Sequence, residues 1–292
     1  MKNIYKNGLF IKNLDLSRIT SFKTGGKAKF YFIPDDLDSL KQILKHTSSR
    51  VFIIGNATNL LVSDKGFNGL IINLKGFTNY ISRKNNCLIA GASVSLSSLI
   101  DYSIHNGLEG LEKLSGIPGT LGGALFMNAG AFGQEIGNVV DHVKVLSYKG
   151  QEKILFRKDI KFLYRRSEPL DKYIILEGVL RLSPGHKNAL LKEHNRIIEQ
   201  RWKKQPLDHP SAGSVFKRPE KGYAGEWIEK AGLKGFQKGQ ARVSEKHANF
   251  IINSGKARSQ DIYDLITYIQ NEVYNQFKIK LEPEIIFLGF KN

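Results

Sequence analysis

Residues 115–123 read SGIPGTLGG, a stretch with four glycines and one proline inside otherwise ordinary globular sequence. Glycine tolerates positive φ and lets the backbone approach a ligand closely, at a cost in conformational entropy. A second loop, GNATNLLVSDKG at 55–66, leaves a predicted buried strand through small or hydrogen-bonding residues. Successive exposed N–H groups in such turns form anion-binding nests. Each loop alone fits a simple tight turn, but together they favour a bound ligand, and two such loops can hold a diphosphate between them.

The usual nucleotide-binding fingerprints do not describe these loops. The stretch SGIPGTLGG lacks the G-x-G-x-x-G spacing of dinucleotide-binding folds, and the chain contains no G-x-x-x-x-G-K-[ST] motif. Because both fingerprints reflect how glycines let the backbone wrap a phosphate, their absence disfavours a Rossmann fold and a P-loop fold.

The length of 292 residues, 41% of them hydrophobic, suffices for two domains or for one large domain with an appendage. No run of 18 apolar residues is present, and polar residues interrupt the N-terminus where a signal peptide is apolar. The single cysteine, Cys87, cannot form an intrachain disulfide, which is typical of a reducing compartment. We therefore expect a soluble protein of the cytoplasm.

The net charge of +17, from 44 Lys and Arg against 27 Asp and Glu, favours anionic partners. Nucleic acid, acidic lipid and phosphorylated small molecules all fit this charge, as do simple solvated faces. A nucleic-acid-binding protein would interleave aromatic residues with its cations. The predicted long helix from Lys187 to Lys204 has one aromatic residue, Trp202, and also carries Glu193 and Glu199. That pattern is closer to a solvated connecting helix.

Hydrophobic patterning predicts more strands than helices, in irregular alternation, which favours an α+β fold over a doubly wound parallel sheet. Helices are predicted after Asp35 and Asp36, within SLSSLIDYSIHNG, around Glu226–Ala231 and near the C-terminus. The break SPGHKN predicts a domain boundary, with one domain at 1–184, in two lobes of roughly 1–76 and 77–184, and a second at 185–292. The predicted strands are KFYFIP (29–34), VFIIG (51–55), LIINL (70–74), CLIAGA (87–92), VVDHVKVLSY (139–148), EKILF (152–156), YIILEGVLRL (173–182) and FIIN (250–253).

Seven motifs occur in one order: TSFKTGGKA, GNATNLLVSDKGFNGLII, SGIPGTLGGALFMNAGAFG, YRRS, AGSVFKRP, VSEKHANFIIN and LEPEIIFLG. In these motifs the chain resembles the family of UDP-N-acetylenolpyruvoylglucosamine reductases, enzymes of peptidoglycan precursor synthesis. The resemblance runs from about Thr20 to Gly289 and fits the subclass that lacks an extra substrate-covering insertion. It implies a vanillyl-alcohol-oxidase-type FAD-binding domain in two α+β lobes, followed by a smaller α+β substrate-binding domain.

The resemblance also implies the cofactors and their residues. FAD would be bound without a covalent link, and NADPH would reduce it; the partners would be NADPH and a UDP-sugar enolpyruvyl ether, with no nucleic acid and no membrane. At two positions where the family commonly has glycine, this chain has Ala57 and Gln240. The residues implied for FAD are Gly55, Asn56, Ala57, Thr58, Asn59, Leu60, Ser115, Gly116, Pro118, Gly119, Thr120, Gly122, Gly123 and Ala129.

Three residues match the family's catalytic positions: Arg165 of YRRS, Ser214 of AGSVF and Glu284 of LEPE. Reducing an enolpyruvyl double bond delivers hydride to the terminal carbon and leaves negative charge beside the carboxylate, which must be spread and then protonated. Arg165 offers a planar fork for a carboxylate. The resemblance makes Ser214 the proton donor. A Glu284 kept neutral by burial would donate a hydrogen bond to the developing enolate.

We expect five further residues to bind the substrate: Tyr164, Lys217, Arg218, Glu245 and Asn249. The histidines show no metal-ligand spacing, so no metal is expected, and His247 is predicted to be a packed histidine rather than a catalyst. One alternative enzyme stays open at this point: another FAD oxidoreductase of the same fold that acts on an alcohol or hydroxy acid. Such an enzyme would not need the pair Ser214 and Glu284.

Overall fold

The computed structural model describes residues 7–290. Within them the chain forms six α-helices and twenty strands, several of only two or three residues. The helices are α1 (Leu37–His46), α2 (Leu96–His105), α3 (Leu121–Met127), α4 (Lys187–Lys204), α5 (Ala224–Lys230) and α6 (Ser259–Phe277). The strands are β1 (Gly8–Asp15), β2 (Lys27–Pro34), β3 (Val51–Ile54), β4 (Leu60–Val62), β5 (Phe67–Asn73), β6 (Ile81–Lys84), β7 (Cys87–Gly91), β8 (Leu108–Glu109), β9 (Gly130–Ala131), β10 (Gln134–Glu135), β11 (Val140–Leu146), β12 (Glu152–Phe156), β13 (Lys161–Leu163), β14 (Arg166–Glu168), β15 (Ile174–Arg181), β16 (Ser183–Pro184), β17 (Gln237–Lys238), β18 (Ala241–Val243), β19 (Ile251–Asn253) and β20 (Ile286–Leu288).

The described residues divide into two compact units, each made of separate chain segments. The first unit takes the residues up to Ile11, Phe30–Gly55 and Leu70–Glu199. The second takes Lys12–Lys29, Asn56–Gly69 and the residues from Gln200 onward. The mixed content of helices and strands confirms the predicted α+β class. The predicted functional domains at 1–184 and 185–292 stay a prediction.

The first unit is built on an antiparallel sheet in the order β12-β11-β15-β7-β6. Alternation along β11 buries Val143 and Val145 in a core cluster that also includes Leu88 of β7 and Leu125 of α3. Helix α3 lies so close to β15 that a side chain on Gly178 would meet Leu125 at 3.0 Å. The tight fit places α3 directly on β15, the central strand of this sheet.

The helix starts predicted in this unit are capped as expected. The Asp36 carboxylate accepts from the N–H of Ser39 at 2.7 Å and begins α1. The Ser95 hydroxyl accepts from the N–H of Ser98 at 3.0 Å and begins α2. These side chains satisfy N–H groups that the first turn of a helix leaves unpaired.

The second unit packs α6 against the three-stranded sheet β17-β18-β19, and β4 pairs in parallel with β20. The predicted apolar stripe of α6 is buried as far as Val273. Asp64, in a loop far away in the chain, caps the N-terminus of this helix. Its carboxylate accepts hydrogen bonds from the N–H groups of Ser259 at 2.9 Å and Gln260 at 3.0 Å. A carboxylate there also interacts favourably with the positive end of the helix dipole.

No helix among the described residues is long and apolar enough to cross a membrane. Within the same residues, the structure brings together no group of three His, Cys, Asp or Glu side chains that could hold a metal ion.

Candidate active site

The stretch SGIPGTLGG forms a loop followed by the short helix α3. Gly116 and Gly119 have φ values of 75° and 128°, in the region that favours glycine. Thr120 caps the helix, because its hydroxyl accepts from the N–H of Gly123 at 3.3 Å. The N–H groups of Leu121 and Gly122 donate to the segment that precedes α2, at 2.9 and 2.8 Å. The first turn of α3 is therefore anchored by hydrogen bonds within the protein. The irregular backbone of this stretch lies in the loop before the helix, at Gly116 and Gly119.

The end of β3 is pressed against this helix. A side chain on Gly55 would lie 2.6 Å from the Thr120 hydroxyl, so only glycine fits at this position. The side-chain amide of Asn73 donates to the carbonyl of Gly55 at 3.1 Å and fixes the end of the strand. On the other side of α3, Gly122 packs on Ala92, where an added Cβ would be 3.0 Å from the alanine Cβ. These two glycines let α3 pack closely on the end of β3 and on Ala92, which fixes the position of the glycine loop.

Arg165 lies in the two-residue turn of the hairpin β13–β14, since Leu163 pairs with Arg166. Its φ of 57° is left-handed, which is uncommon and costly for a residue with a side chain. The guanidinium lies 4.9 Å from the ring centroid of Tyr164, its half-exposed neighbour in the turn. A strained non-glycine turn residue is typical of functional sites.

Two buried side chains attach this hairpin to α3. The Ser167 hydroxyl donates to the carbonyl of Leu125 at 2.6 Å. The amide of Asn128, which ends α3 with φ 45°, donates to the carbonyl of Leu163 at 3.1 Å. Asn128 also bonds to Glu135 and accepts from the N–H of Gly137. No role was predicted for Asn128 or Ser167, although both stand inside the quoted motifs. Their role follows from their complete burial between the hairpin and α3, which the sequence does not show.

The first loop continues in the second unit as Asn56–Leu60. Ala57 is buried with a φ of 52°, so this chain holds an alanine where the backbone favours glycine. Asn59 is fixed by two hydrogen bonds: its carbonyl accepts from Ile286 at 3.0 Å, and its amide donates to the carbonyl of Glu284 at 3.2 Å. The loop therefore ends directly beside the segment that carries the predicted catalytic glutamate.

Ser214 and Glu284 lie on neighbouring stretches of backbone. The N–H of Glu284 donates to the carbonyl of Val215 at 2.7 Å. Ser214 follows Gly213, which has a φ of 77° and open space where a Cβ would be. Ser214 is partly buried, and its hydroxyl makes no hydrogen bond to any residue in the described part of the chain. A hydroxyl with this freedom can turn its proton toward a bound ligand.

Asn249 and Lys217 flank Ser214 but are engaged in other contacts. The buried amide of Asn249 accepts from the N–H of Phe216 at 3.0 Å and donates to its carbonyl at 2.9 Å. The Lys217 ammonium lies 3.3 Å from the carboxylate of Glu282. Asn249 thus fixes the backbone segment that carries Ser214. Lys217 sits in a partly exposed ion pair that another anion can exchange.

Arg218, Glu245 and His247 complete the predicted set in this unit. Arg218 is exposed, with its guanidinium 4.4 Å from the ring centroid of Tyr223. The carboxylate of Glu245 is exposed and lies over Gly235. His247 is packed against Phe250, and burial lowers its pKa. Its Nδ1 accepts from the N–H of Asn249 at 3.2 Å, which agrees with a neutral, structural histidine.

Gln240, the other departure from glycine, is exposed, and its φ is not in the left-handed region. Its neighbour Gly239 has the positive φ of 57° instead. The turn therefore keeps one glycine where the backbone needs it, and glutamine fits at 240 without strain.

Comparison with known proteins places both halves of the chain. A family model described as FAD binding domain matches residues 28–154, and one described as UDP-N-acetylenolpyruvoylglucosamine reductase, C-terminal domain, matches residues 205–288. A UDP-N-acetylenolpyruvoylglucosamine reductase from Caldanaerobacter subterraneus subsp. tengcongensis is 44% identical and covers 100% of this chain and 97% of its own. One from Clostridium tetani is 40% identical over 92% of this chain and 89% of its own. The crystal structure of UDP-N-acetylenolpyruvylglucosamine reductase from Thermus caldophilus matches with a TM-score of 0.84 at 31% identity, over 96% of this chain and 98% of that chain.

Proposed function

This chain belongs to the UDP-N-acetylenolpyruvoylglucosamine reductase family, and on that premise we propose how its residues carry out the reaction. The family resemblance of the seven motifs is confirmed. The protein is an oxidoreductase that uses FAD and NADPH, and it reduces UDP-N-acetylglucosamine enolpyruvate to UDP-N-acetylmuramate in peptidoglycan precursor synthesis. Its substrates are small molecules.

The residues present fit FAD. Gly116 and Gly119 of the loop at 115–123 have left-handed φ values, and backbone without side chains allows a flat, doubly charged cofactor to approach closely. The packing of Gly55 against Thr120 fixes the end of β3 beside this loop. FAD, when bound, supplies the hydride that reduces the double bond. We assign its binding, without a covalent link, to Gly55, Asn56, Ala57, Thr58, Asn59, Leu60, Ser115, Gly116, Pro118, Gly119, Thr120, Gly122, Gly123 and Ala129.

Ser214 is assigned to the proton transfer. Hydride addition at the terminal carbon leaves a carbanion beside the substrate carboxylate, and this carbon must gain a proton. A hydroxyl is a weak acid, but it protonates so strong a base when its position is fixed. The observation that supports this role most strongly is that Ser214 is partly buried, makes no side-chain hydrogen bond within the described residues, and lies on a backbone segment that is hydrogen-bonded to Glu284.

Arg165 and Glu284 are assigned to the negative charge that develops before protonation. The guanidinium of Arg165 stays charged at any working pH and matches the two oxygens of a carboxylate. A neutral Glu284 would donate a hydrogen bond to the enolate oxygen, where charge increases in the transition state. Hydrogen-bond donors that interact more strongly with the transition state than with the bound substrate lower the activation barrier, whereas equal interaction with both would only tighten substrate binding.

Substrate binding is assigned to Tyr164, Lys217, Arg218, Glu245 and Asn249. Lys217 and Arg218 follow Ser214 closely in the chain, and their cations suit the carboxylate or the diphosphate of the substrate. Asn249 would act mainly by holding the backbone segment of Ser214 in place. We also assign the protein to the cytoplasm, because NADPH and nucleotide sugars are made there, with no nucleic acid or membrane partner.

Substitution of Glu284 tests this proposal. Glu284→Gln keeps a neutral hydrogen-bond donor, whereas Glu284→Ala removes it, so turnover should fall much less in Glu284→Gln than in Glu284→Ala. Steady-state oxidation of NADPH, dependent on the enolpyruvyl substrate, is measured with Glu220→Gln, an exposed carboxylate, as control. Equal losses in the two Glu284 variants would remove the donor role. A purified protein that binds no flavin would overturn the proposed function as a whole.

A further inference from the structure

Ser115 opens the glycine loop, but its side chain does not face a ligand. The residue is fully buried, and both its N–H and its hydroxyl donate to the carbonyl of Glu112, at 3.2 and 2.5 Å. A hydroxyl has a single proton, so any other hydrogen bond must use the oxygen as acceptor. The second partner is Nδ1 of His194, at 2.9 Å. His194 therefore carries a hydrogen on Nδ1 and donates it to Ser115.

His194 reaches this loop from the packed face of α4. It lies four residues after Leu190 and three before Ile197, the two buried side chains of that helix. The neighbouring positions Lys192 and Asn195 are exposed. His194 is thus a polar side chain within an otherwise apolar contact stripe, and such a group is tolerated when its hydrogen bond is satisfied.

Hydrogen bonds fix the turn between Gly110 and Ser115, which leads directly into the glycine loop. The Glu112 carboxylate, itself nearly buried, accepts from the N–H of Gly110 at 2.7 Å. Its carbonyl receives both bonds from Ser115, and Gly116 follows immediately with its left-handed φ of 75°. Since the backbone direction of Ser115 determines where Gly116 begins, the His194 contact limits the freedom of the loop at its first residue.

We propose that His194 and Ser115 are positioning residues that hold the loop at 115–123 in the shape that binds FAD, an inference that rests on the proposed function. Ser115 then contributes through the backbone that it orders and not through a side-chain contact with the cofactor. Holding the loop before binding lowers the ordering cost that the cofactor would otherwise have to overcome.

The test is the FAD dissociation constant of the apoprotein, measured by flavin fluorescence well below the melting temperature of every variant. His194→Leu removes the donor at similar volume and should weaken FAD binding about threefold to tenfold, the loss expected for one net hydrogen bond. His194→Asn places an amide N–H near the position of Nδ1 and should keep the affinity within about twofold. Asn195→Leu makes a matched substitution on the exposed face of the same helix and should change nothing.

A double-mutant cycle separates the contact from general damage. Ser115→Ala should weaken FAD binding at least as much as His194→Leu, because it also removes the bond to the Glu112 carbonyl. The double variant should be no worse than Ser115→Ala alone, because the contact with His194 is already lost in that variant. Additive losses, unchanged affinity, or His194→Asn as weak as His194→Leu would overturn the inference. If His194→Leu does not fold, Ser115→Ala and His194→Asn still decide it. A wild-type apoprotein that binds no FAD would instead refute the proposed function.

Discussion

Replacing Arg165 by glycine separates the chemistry of its side chain from the stability of its turn. The left-handed backbone at φ 57° costs a side-chain-bearing residue about 1–2 kcal/mol. Glycine removes that cost but adds about 0.5–1 kcal/mol of backbone entropy, and the stacking on Tyr164 contributes about 0.5–1 kcal/mol at an exposed site. These terms nearly cancel. The free energy of unfolding should therefore stay within about 1 kcal/mol of wild type, which is about 3 °C in Tm.

Activity should respond very differently. Loss of one preorganised group that meets developing charge typically lowers kcat about 10²- to 10³-fold, so Arg165→Gly should fold normally and turn over poorly. The adjacent Arg166 is the matched control, because its guanidinium is 2.9 Å from Glu168 in an exposed ion pair. Arg166→Ala should keep turnover within about twofold, since exposed pairs contribute little. Thermal unfolding and substrate-dependent NADPH oxidation are measured on both variants. The reasoning is refuted if the turnover of Arg165→Gly stays within tenfold of wild type, or if Arg166→Ala lowers turnover as much as Arg165→Gly does.

Two further predictions concern the second unit. Ala57→Gly should leave the free energy of unfolding within about 1 kcal/mol of wild type, because relief of the strained φ of 52° offsets the lost methyl group and the added backbone entropy. Ala57→Val introduces a β-branched side chain at the same left-handed position and should cost more than about 2 kcal/mol, measured by urea unfolding. A glycine variant that is less stable than the valine variant would contradict this prediction. Burial lowers the pKa of His247, so the unfolded chain binds a proton more readily than the folded one. The free energy of unfolding should therefore fall as pH drops below about 6.5, and His247→Gln should flatten that slope between pH 7 and pH 5, whereas an unchanged slope would assign the pH effect to other groups.

Local signals predicted much of the fold. The acidic cap at Asp36 and the serine cap at Ser95 begin helices as expected. Hydrophobic runs located many of the sheet strands, but β1 and β6 were not predicted. Helix α3 was not predicted, because Gly122 and Gly123 in its first turn have poor helix propensity. It forms through tertiary contacts, above all the bond from Gly122 N–H to the carbonyl of Ala92 and the close approach of Leu125 to the sheet.

The candidate site was less accessible to sequence reasoning. Ser214 and Glu284 stand far apart in the chain, and only a long-range backbone hydrogen bond between Glu284 and Val215 makes their segments neighbours. No local pattern encodes that pairing, so the family resemblance alone suggested it. The contact between His194 and Ser115 was missed for a related reason. The charge pattern of α4 predicted a solvated connecting helix, and one polar residue within its narrow buried stripe carries no periodic signal.

The most direct test of the account is a pair of stopped-flow measurements on Ser214→Ala. If Ser214 protonates the substrate carbon, NADPH should still bleach the flavin absorbance at the wild-type rate, because that step does not use the hydroxyl. Reoxidation by the enolpyruvyl substrate should slow about 10²- to 10⁴-fold, as expected when a positioned acid is lost. Ser211→Ala, three residues earlier, should leave both rates unchanged. Reoxidation of Ser214→Ala at the wild-type rate would contradict the assignment.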